Sequence, residues 1–241
     1  MTESEFLEGY DPAAYERPSV TVDLVLMGLR GGRPAVLLQE RRDPPFEGRW
    51  ALPGSFVGIG EALDSAAERT LHEKARLEKA HLEQLYTFGA VDRDPRMRVI
   101  TVAWLALLNE QEFAAALAAN PALLAAAIDV PWAGEAGGPI TVATPGGTHI
   151  DLAFDHAAIL ALAVQRLRGK LDYSEVGFAL LPELFTLRQL QDVHEAILGT
   201  ALNKPAFRRR MQDRGWLAAT GTREEGTSYR PAELFRFQRP L

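Results

Sequence analysis

The residues best placed to do chemistry in this 241-residue sequence are Glu61, Arg69, Glu73 and Lys74, inside the stretch 54–77. Leu63, Ala66, Ala67, Leu71 and Ala75 have helical spacing there and lie on one side. Positions 70, 73 and 74 are related by i, i+3 and i, i+4 steps, so they share one helix face. A face of carboxylates would hold a hard divalent cation against a diphosphate. This face carries Thr70, Glu73 and Lys74, which cancel in formal charge. Two unit charges about 4 Å apart interact by roughly 4 kcal/mol at an effective dielectric of ~20, so Lys74 opposes a bound Mg²⁺. Any hydrolysis that depended on a cation held at this face would be lost or very weak. Either Lys74 takes the cation's place and grips a phosphate as a point charge, or it is simply solvated. Arg69 and Glu73 also satisfy the spacing of an i, i+4 salt bridge.

A second group flanks this stretch. Arg41, Arg49, Arg93, Arg96 and Arg98, together with Trp50 and Phe88, are the residue types a charged, stackable ligand requires. Guanidinium groups grip phosphates bidentately, and aromatic rings offer a flat face to a base. The alternative for Arg93-Asp94-Pro95-Arg96 is a salt-bridged structural corner.

The elements that must position these groups begin with an apolar run at 19–28, a turn at 30–34 and a returning run at 35–40, which predict a strand hairpin. Residues 44–60 are rich in Pro and Gly and read as loop with short strands. Strands are expected over 85–89 and 99–108. A helix interrupted at Pro121 is expected over 113–128, and 140–142 and 148–152 could close the sheet. A helix over 155–171, with Ile159, Leu160, Ala163 and Leu167 as its apolar stripe, precedes a boundary near Asp172.

Beyond that point the charge changes sign. Residues 156–241 hold 13 Lys and Arg against 9 Asp and Glu, a net of +4, whereas the chain as a whole carries −6. A basic back behind an acidic front suggests two tasks, with phosphate contact in the back. Phe185-Thr186-Leu187-Arg188-Gln189-Leu190 has the form of a capping box, Thr186 at N-cap and Gln189 at N3, and Gly199 stands where that helix should stop. A second helix is predicted from Asn203 as N-cap. Phe207 and Met211 face inward; Lys204, Arg208 and Arg209 face outward, with Arg210 at the margin. Two helices around a short turn, the second with a basic outer face, form a helix-turn-helix. Alternating stretches at 217–220 and 229–237 then predict a wing, with Arg223 near its tip and Arg230 on its return. The candidate DNA-contacting set is Thr186, Asn203, Lys204, Arg208, Arg209, Arg223 and Arg230. His156 and His194 are expected to be structural.

The stretch 54–77 resembles the Nudix box: Glu61 and Arg69 have seven residues between them, and Leu71, Glu73 and Leu77 fall on its apolar and acidic positions. Trp50-Ala51-Leu52-Pro53-Gly54 and Phe56-Val57 match what Nudix proteins place before the box. The departures are Ser55 and Arg76 for glycines and Thr70 and Lys74 for metal-binding glutamates. With the C-terminal stretches 202–204, 207–211, 230–232 and 235–237 and the segments 155–157 and 166–168, most of the chain resembles the Nudix-related transcriptional regulators of NAD metabolism, the NrtR family. That resemblance implies an α/β (α+β) Nudix fold, a mixed sheet between helices, with a C-terminal winged helix-turn-helix. The expected division is 1–155 for ligand sensing, 156–171 as a linker helix and 172–241 for DNA.

The function so implied is repression, as a homodimer on a palindromic operator in double-stranded DNA, of NAD synthesis or salvage genes. ADP-ribose or a related NAD-derived nucleotide would relieve it, with no cofactor or metal required. Two other classes fit parts of the sequence: a Nudix pyrophosphatase in which Glu61 and Glu73 rescue metal binding, and a regulator whose back domain binds protein. No cysteine is present, the acidic N-terminus lacks the form of a signal peptide, and no 18-residue apolar run occurs. A cytoplasmic protein without membrane contact is expected.

Overall fold

The computed structural model describes residues 2–225 and 231–239. The first helix, α1 (Glu3–Gly9), is closed by a capping box between Thr2 and Glu5 and buries no residue. The hairpin follows as expected, with β1 (Ser19–Arg30) and β2 (Arg33–Glu40) antiparallel around Gly31 and Gly32, both at positive φ. Two short strands, β3 (Trp50–Ala51) and β4 (Gly54–Phe56), pair with β2 and β1. Helix α2 (Leu63–Thr70) runs into one π-helical turn over Leu71–Ala75, and Arg76 ends it at φ 56°, where the Nudix pattern has a glycine. Strands β5 (Leu82–Phe88) and β6 (Val99–Leu107) complete one side of the sheet, and β6 pairs parallel with β1.

One expectation is corrected here. Residues 113–128 are not one interrupted helix: α3 (Glu110–Ala119) stops at Asn120-Pro121, and β7 (Leu123–Asp129) pairs antiparallel with β2. The segment is a strand buried on both faces, Leu123 and Ala125 on one side and Ala126 and Ile128 on the other. Such a strand reads as a continuous apolar run with no period of two, and its alanines disguised it as helix. Strands β8 (Thr141–Ala143) and β9 (His149–Ile150) close the sheet in the order β5-β6-β1-β2-β7-β8-β9.

The alternation of β1 divides the core. Val22, Leu24 and Leu26 pack under α2 and α3, while Val25 and Met27 face the helix α4 (His156–Lys170). The segment expected as a linker helix is therefore a core layer: Ile159, Leu160, Ala163, Val164 and Leu167 are buried in one continuous cluster with the sheet. That cluster runs on through Phe178, Leu190, Val193, Ile197, Phe207 and Met211 of the C-terminal region. There α5 (Leu187–Leu198) and α6 (Lys204–Asp213) form the helix pair, and β10 (Leu217–Arg223) and β11 (Glu233–Phe237) the wing. The wing is joined to the body by reciprocal backbone hydrogen bonds between Phe185 and Phe235, at 3.0 and 2.8 Å. No described helix is long and apolar enough to cross a membrane.

Candidate functional site: an arginine cleft and a basic helix pair

Asp23 is a charged residue in a strand whose neighbours are fully buried, and it points toward α4. A charge there needs partners. Arg93 supplies them: its guanidinium donates to Asp155 at 2.9 and 2.7 Å and to Asp23 at 3.4 Å, and its side chain is only 4% exposed. Burial pulls the Arg93 pKa down, but the two carboxylates outweigh it and the guanidinium is held above its ordinary value. His156 lies 3.7 Å from Asp23 and accepts the Leu52 N–H on Nδ1 at 2.9 Å. Desolvation lowers its pKa, so it is a neutral acceptor, as its structural reading required. His194 is likewise buried, with its pKa lowered by desolvation and Nδ1 2.9 Å from the Leu190 carbonyl.

Beside this network lies an open cleft of about 170 Å³ lined by Arg41, Arg93, Arg96, Phe56, Phe154 and Asp94, among others. Asp94 holds Arg96 through bonds of 3.0 and 2.7 Å, which lower the carboxyl pKa and raise that of the guanidinium. The Arg93–Arg96 turn is thus a salt-bridged corner that still exposes one guanidinium. Arg41 stacks over Phe154 at 4.7 Å, and burial followed by repulsion from Arg96 lowers its pKa. Arg41 is itself positioned by donating to the Pro45 and Asp43 carbonyls at 2.7 and 3.2 Å, and two cations brought together beside aromatic faces have the chemistry to attract a polyanion.

The other expected ligand residues lie elsewhere. Arg49 is exposed against Phe46 and borders a separate hollow, Trp50 packs against the core, and Phe88 sits edge-on to Tyr86 in β5. Arg98 donates to the Gly89 and Ala90 carbonyls. Sequence reasoning missed Phe56, Phe154 and Asp23 as cleft residues, whereas Asp94 was read within a salt-bridged corner. Only Asp23 carried a signal, a carboxylate inside an apolar strand.

The box residues are engaged with one another. Arg69 donates to Glu61 at 2.7 and 2.9 Å and to Glu73 at 3.4 Å, and these bonds hold the Glu61 carboxyl down to about 2. Thr70 is fully buried and donates to the Ala66 carbonyl, which leaves its oxygen to accept from Ser55 at 2.6 Å. Two departures from the box, at 55 and 70, therefore satisfy each other. Lys74 is half-buried outside the arginine cleft, its carbonyl accepting from Asn120. Among the described residues no group of three or more His, Asp or Glu is gathered as a cation cradle, and the donors at 70, 73 and 74 do not fit one.

A larger cavity, about 820 Å³, lies between β5 and the wing. Its rim charges are paired with one another, Lys170 with Glu83, Arg236 with Glu183 and Arg239 with Glu175.

In the C-terminal region Thr186 is a correction. It is 3% exposed, and its hydroxyl accepts the Gln189 N–H as a helix cap, so it cannot reach DNA. Asn203 likewise caps α6 by accepting from Ala206, although it is exposed. Lys204, Arg208 and Arg209 are exposed and make no bond to a described residue. Arg210 turns back to Asp172 at 3.2 Å. Arg223 is exposed in the wing and donates to the Pro231 carbonyl. Arg230 lies outside the described residues.

A mixed-sheet Nudix domain fused through a core helix to a winged helix defines a ligand-responsive DNA-binding protein as a class. Residues 17–127 match the NUDIX domain, and residues 177–237 match the NrtR DNA-binding winged helix domain. The chain is 34% identical over 238 residues to the ADPR responsive transcriptional repressor NtrR of Acinetobacter baylyi, covering 98% of this chain and 88% of that one. Among solved structures it resembles Shewanella oneidensis NrtR complexed with a 27mer DNA, at 32% identity and TM-score 0.74 over 91% of this chain and 93% of that one. The NUDIX domain of the same protein complexed with ADP ribose matches at 32% identity and TM-score 0.52, over 69% of this chain and 99% of that one. The chain belongs to the NrtR family.

Proposed function

We propose that this chain is a transcriptional repressor of NAD synthesis or salvage genes that leaves its operator when ADP-ribose, or a close NAD-derived relative, fills the arginine cleft. As a homodimer it seats one α6 per half-site of a palindromic operator, with Lys204, Arg208 and Arg209 at the DNA and Arg223 beside it. Arg41 and Arg96 take the diphosphate, and Phe154 and Phe56 bound the sugar or base. It works in the cytoplasm with its DNA. The observation that carries this reading is the pairing, in one chain, of a solvent-facing basic helix with an open cleft lined by Arg41 and Arg96, beside box carboxylates already paired with Arg69.

The enzyme reading needs Glu61 and Glu73 to leave Arg69 and gather a cation next to Lys74. Repressor and pyrophosphatase separate in one assay. With EDTA present, ADP-ribose is expected to release a shifted promoter fragment taken from beside the gene. With Mg²⁺ added, no AMP is expected to appear. Release of AMP at about 1 s⁻¹ or faster, ordinary for an enzyme, without any shifted DNA would overturn the proposal.

A further inference from the structure

Helix α4 touches both sites. At its N-terminus Phe154 and His156 line the cleft and Asp155 braces it: Phe154 lies under Arg41, Asp155 takes the bidentate bond from Arg93, and His156 holds Leu52. Its 15 residues span roughly 22 Å at 1.5 Å per residue. Near its other end Arg168 is 4% exposed and faces no carboxylate. Its guanidinium donates instead to carbonyls: Ile197 at 2.8 Å, Trp132 at 2.7 Å and Gly134 at 3.2 Å, and it stacks on the Trp132 ring at 4.6 Å.

Ile197 lies in the last turn of α5, where carbonyls lack helical partners and the helix dipole favours a cation. Just beyond, Gly199 turns the chain at φ 70° toward α6, and a Cβ there would stand 3.3 Å from the Arg168 guanidinium. Arg168 thus grips the turn that sets the angle between α5 and the basic helix. An apolar side chain would fill that space without the cost of burying a charge. Three directed bonds to two separate segments do what packing cannot, which is to fix the orientation of one body against another.

We propose that α4 is the lever that couples the arginine cleft to the DNA-contacting helices, with Asp155 as its input and Arg168 as its output and positioning residue. The inference rests on the ligand-responsive reading above. A diphosphate in the cleft attracts Arg93 and repels Asp155 and Asp23, so the Arg93–Asp155 pair must re-form around it. The stiff helix carries that shift to the α5–α6 turn.

The test compares the Kd for a promoter fragment with and without saturating ADP-ribose, and the Kd for ADP-ribose without DNA, in the full chain and in Arg168→Gln. The unmodified chain should show a coupling factor in the usual range of about 5–150-fold. In Arg168→Gln the ADP-ribose Kd should stay within about twofold while the coupling factor falls below about 2. A variant that retains the full factor overturns the lever. Should the variant not fold, amide exchange on the unmodified chain decides the matter. ADP-ribose should alter protection at 155–171 and at 195–203, and a change confined to the cleft overturns the lever too. An unmodified chain that binds both partners with a coupling factor of one sinks the ligand-responsive reading itself, a result distinct from either.

Discussion

Replacing Arg208 and Arg209 together with alanine is expected to weaken operator binding by at least about 30-fold at physiological salt, with ADP-ribose affinity and thermal stability unchanged. The size follows from what the side chains are free to do. Neither bonds to a described residue, so no structural partner is orphaned when they are cut back. A guanidinium that reads a guanine edge contributes about 1–3 kcal/mol, and a phosphate contact steepens the salt dependence by about one unit in log K against log salt. Two such residues on one helix face give a loss of about 30-fold at the low end of that range, and the plot of affinity against salt should flatten by one to two units. Arg210→Ala should behave differently: its partner is Asp172 and its surface lies over Phe207, so the loss falls on stability before DNA. Fluorescence anisotropy with a labelled operator at several salt concentrations checks both. Unchanged affinity in the double variant would remove α6 from the DNA.

Much of the C-terminal region was legible in the sequence because its signals are local. The Thr186–Gln189 capping box, the αL glycine at 199, the Asn203 cap and the inward pair Phe207 and Met211 each depend on residues within a few positions of one another. That locality also explains the one error there: a threonine beside a basic helix pair was read as a contact when its hydroxyl was already committed to its own helix. The front domain was legible as strands and a box, but its chemistry was not. Arg93 finds Asp23 and Asp155 at separations of 70 and 62 residues, and only the folded sheet brings them together. Phe154 enters the cleft from a positive φ that nothing in its side chain announces. Five arginines looked alike in the sequence. In the structure Arg93 is buried against two carboxylates, Arg98 is tied to backbone outside the cleft, Arg49 lies elsewhere, and Arg41 and Arg96 line the open cleft, each held by its own local bonds.

That division predicts opposite phenotypes for two arginines three residues apart. Arg93→Met should destabilise the fold by about 3–5 kcal/mol, because it strips the partner from a carboxylate that stays buried. For a chain of this size that is a drop in Tm of about 6–20 °C. Arg96→Ala removes a half-exposed guanidinium whose partner, Asp94, keeps its bond to the Arg96 backbone N–H. Its Tm should fall by less than that of Arg93→Met, while the ADP-ribose Kd should rise about 10- to 150-fold, the loss of one charge-assisted contact of about 1.5–3 kcal/mol. The origin of the Arg93 effect can be isolated with Asp23→Asn. If the penalty is an unpaired buried charge, then Arg93→Met combined with Asp23→Asn should be more stable than Arg93→Met alone, since the amide needs no cation. If the double variant melts lower than either single one, with the losses simply adding, Arg93 contributes by packing, and the carboxylate at the floor of the cleft is not what holds it in place.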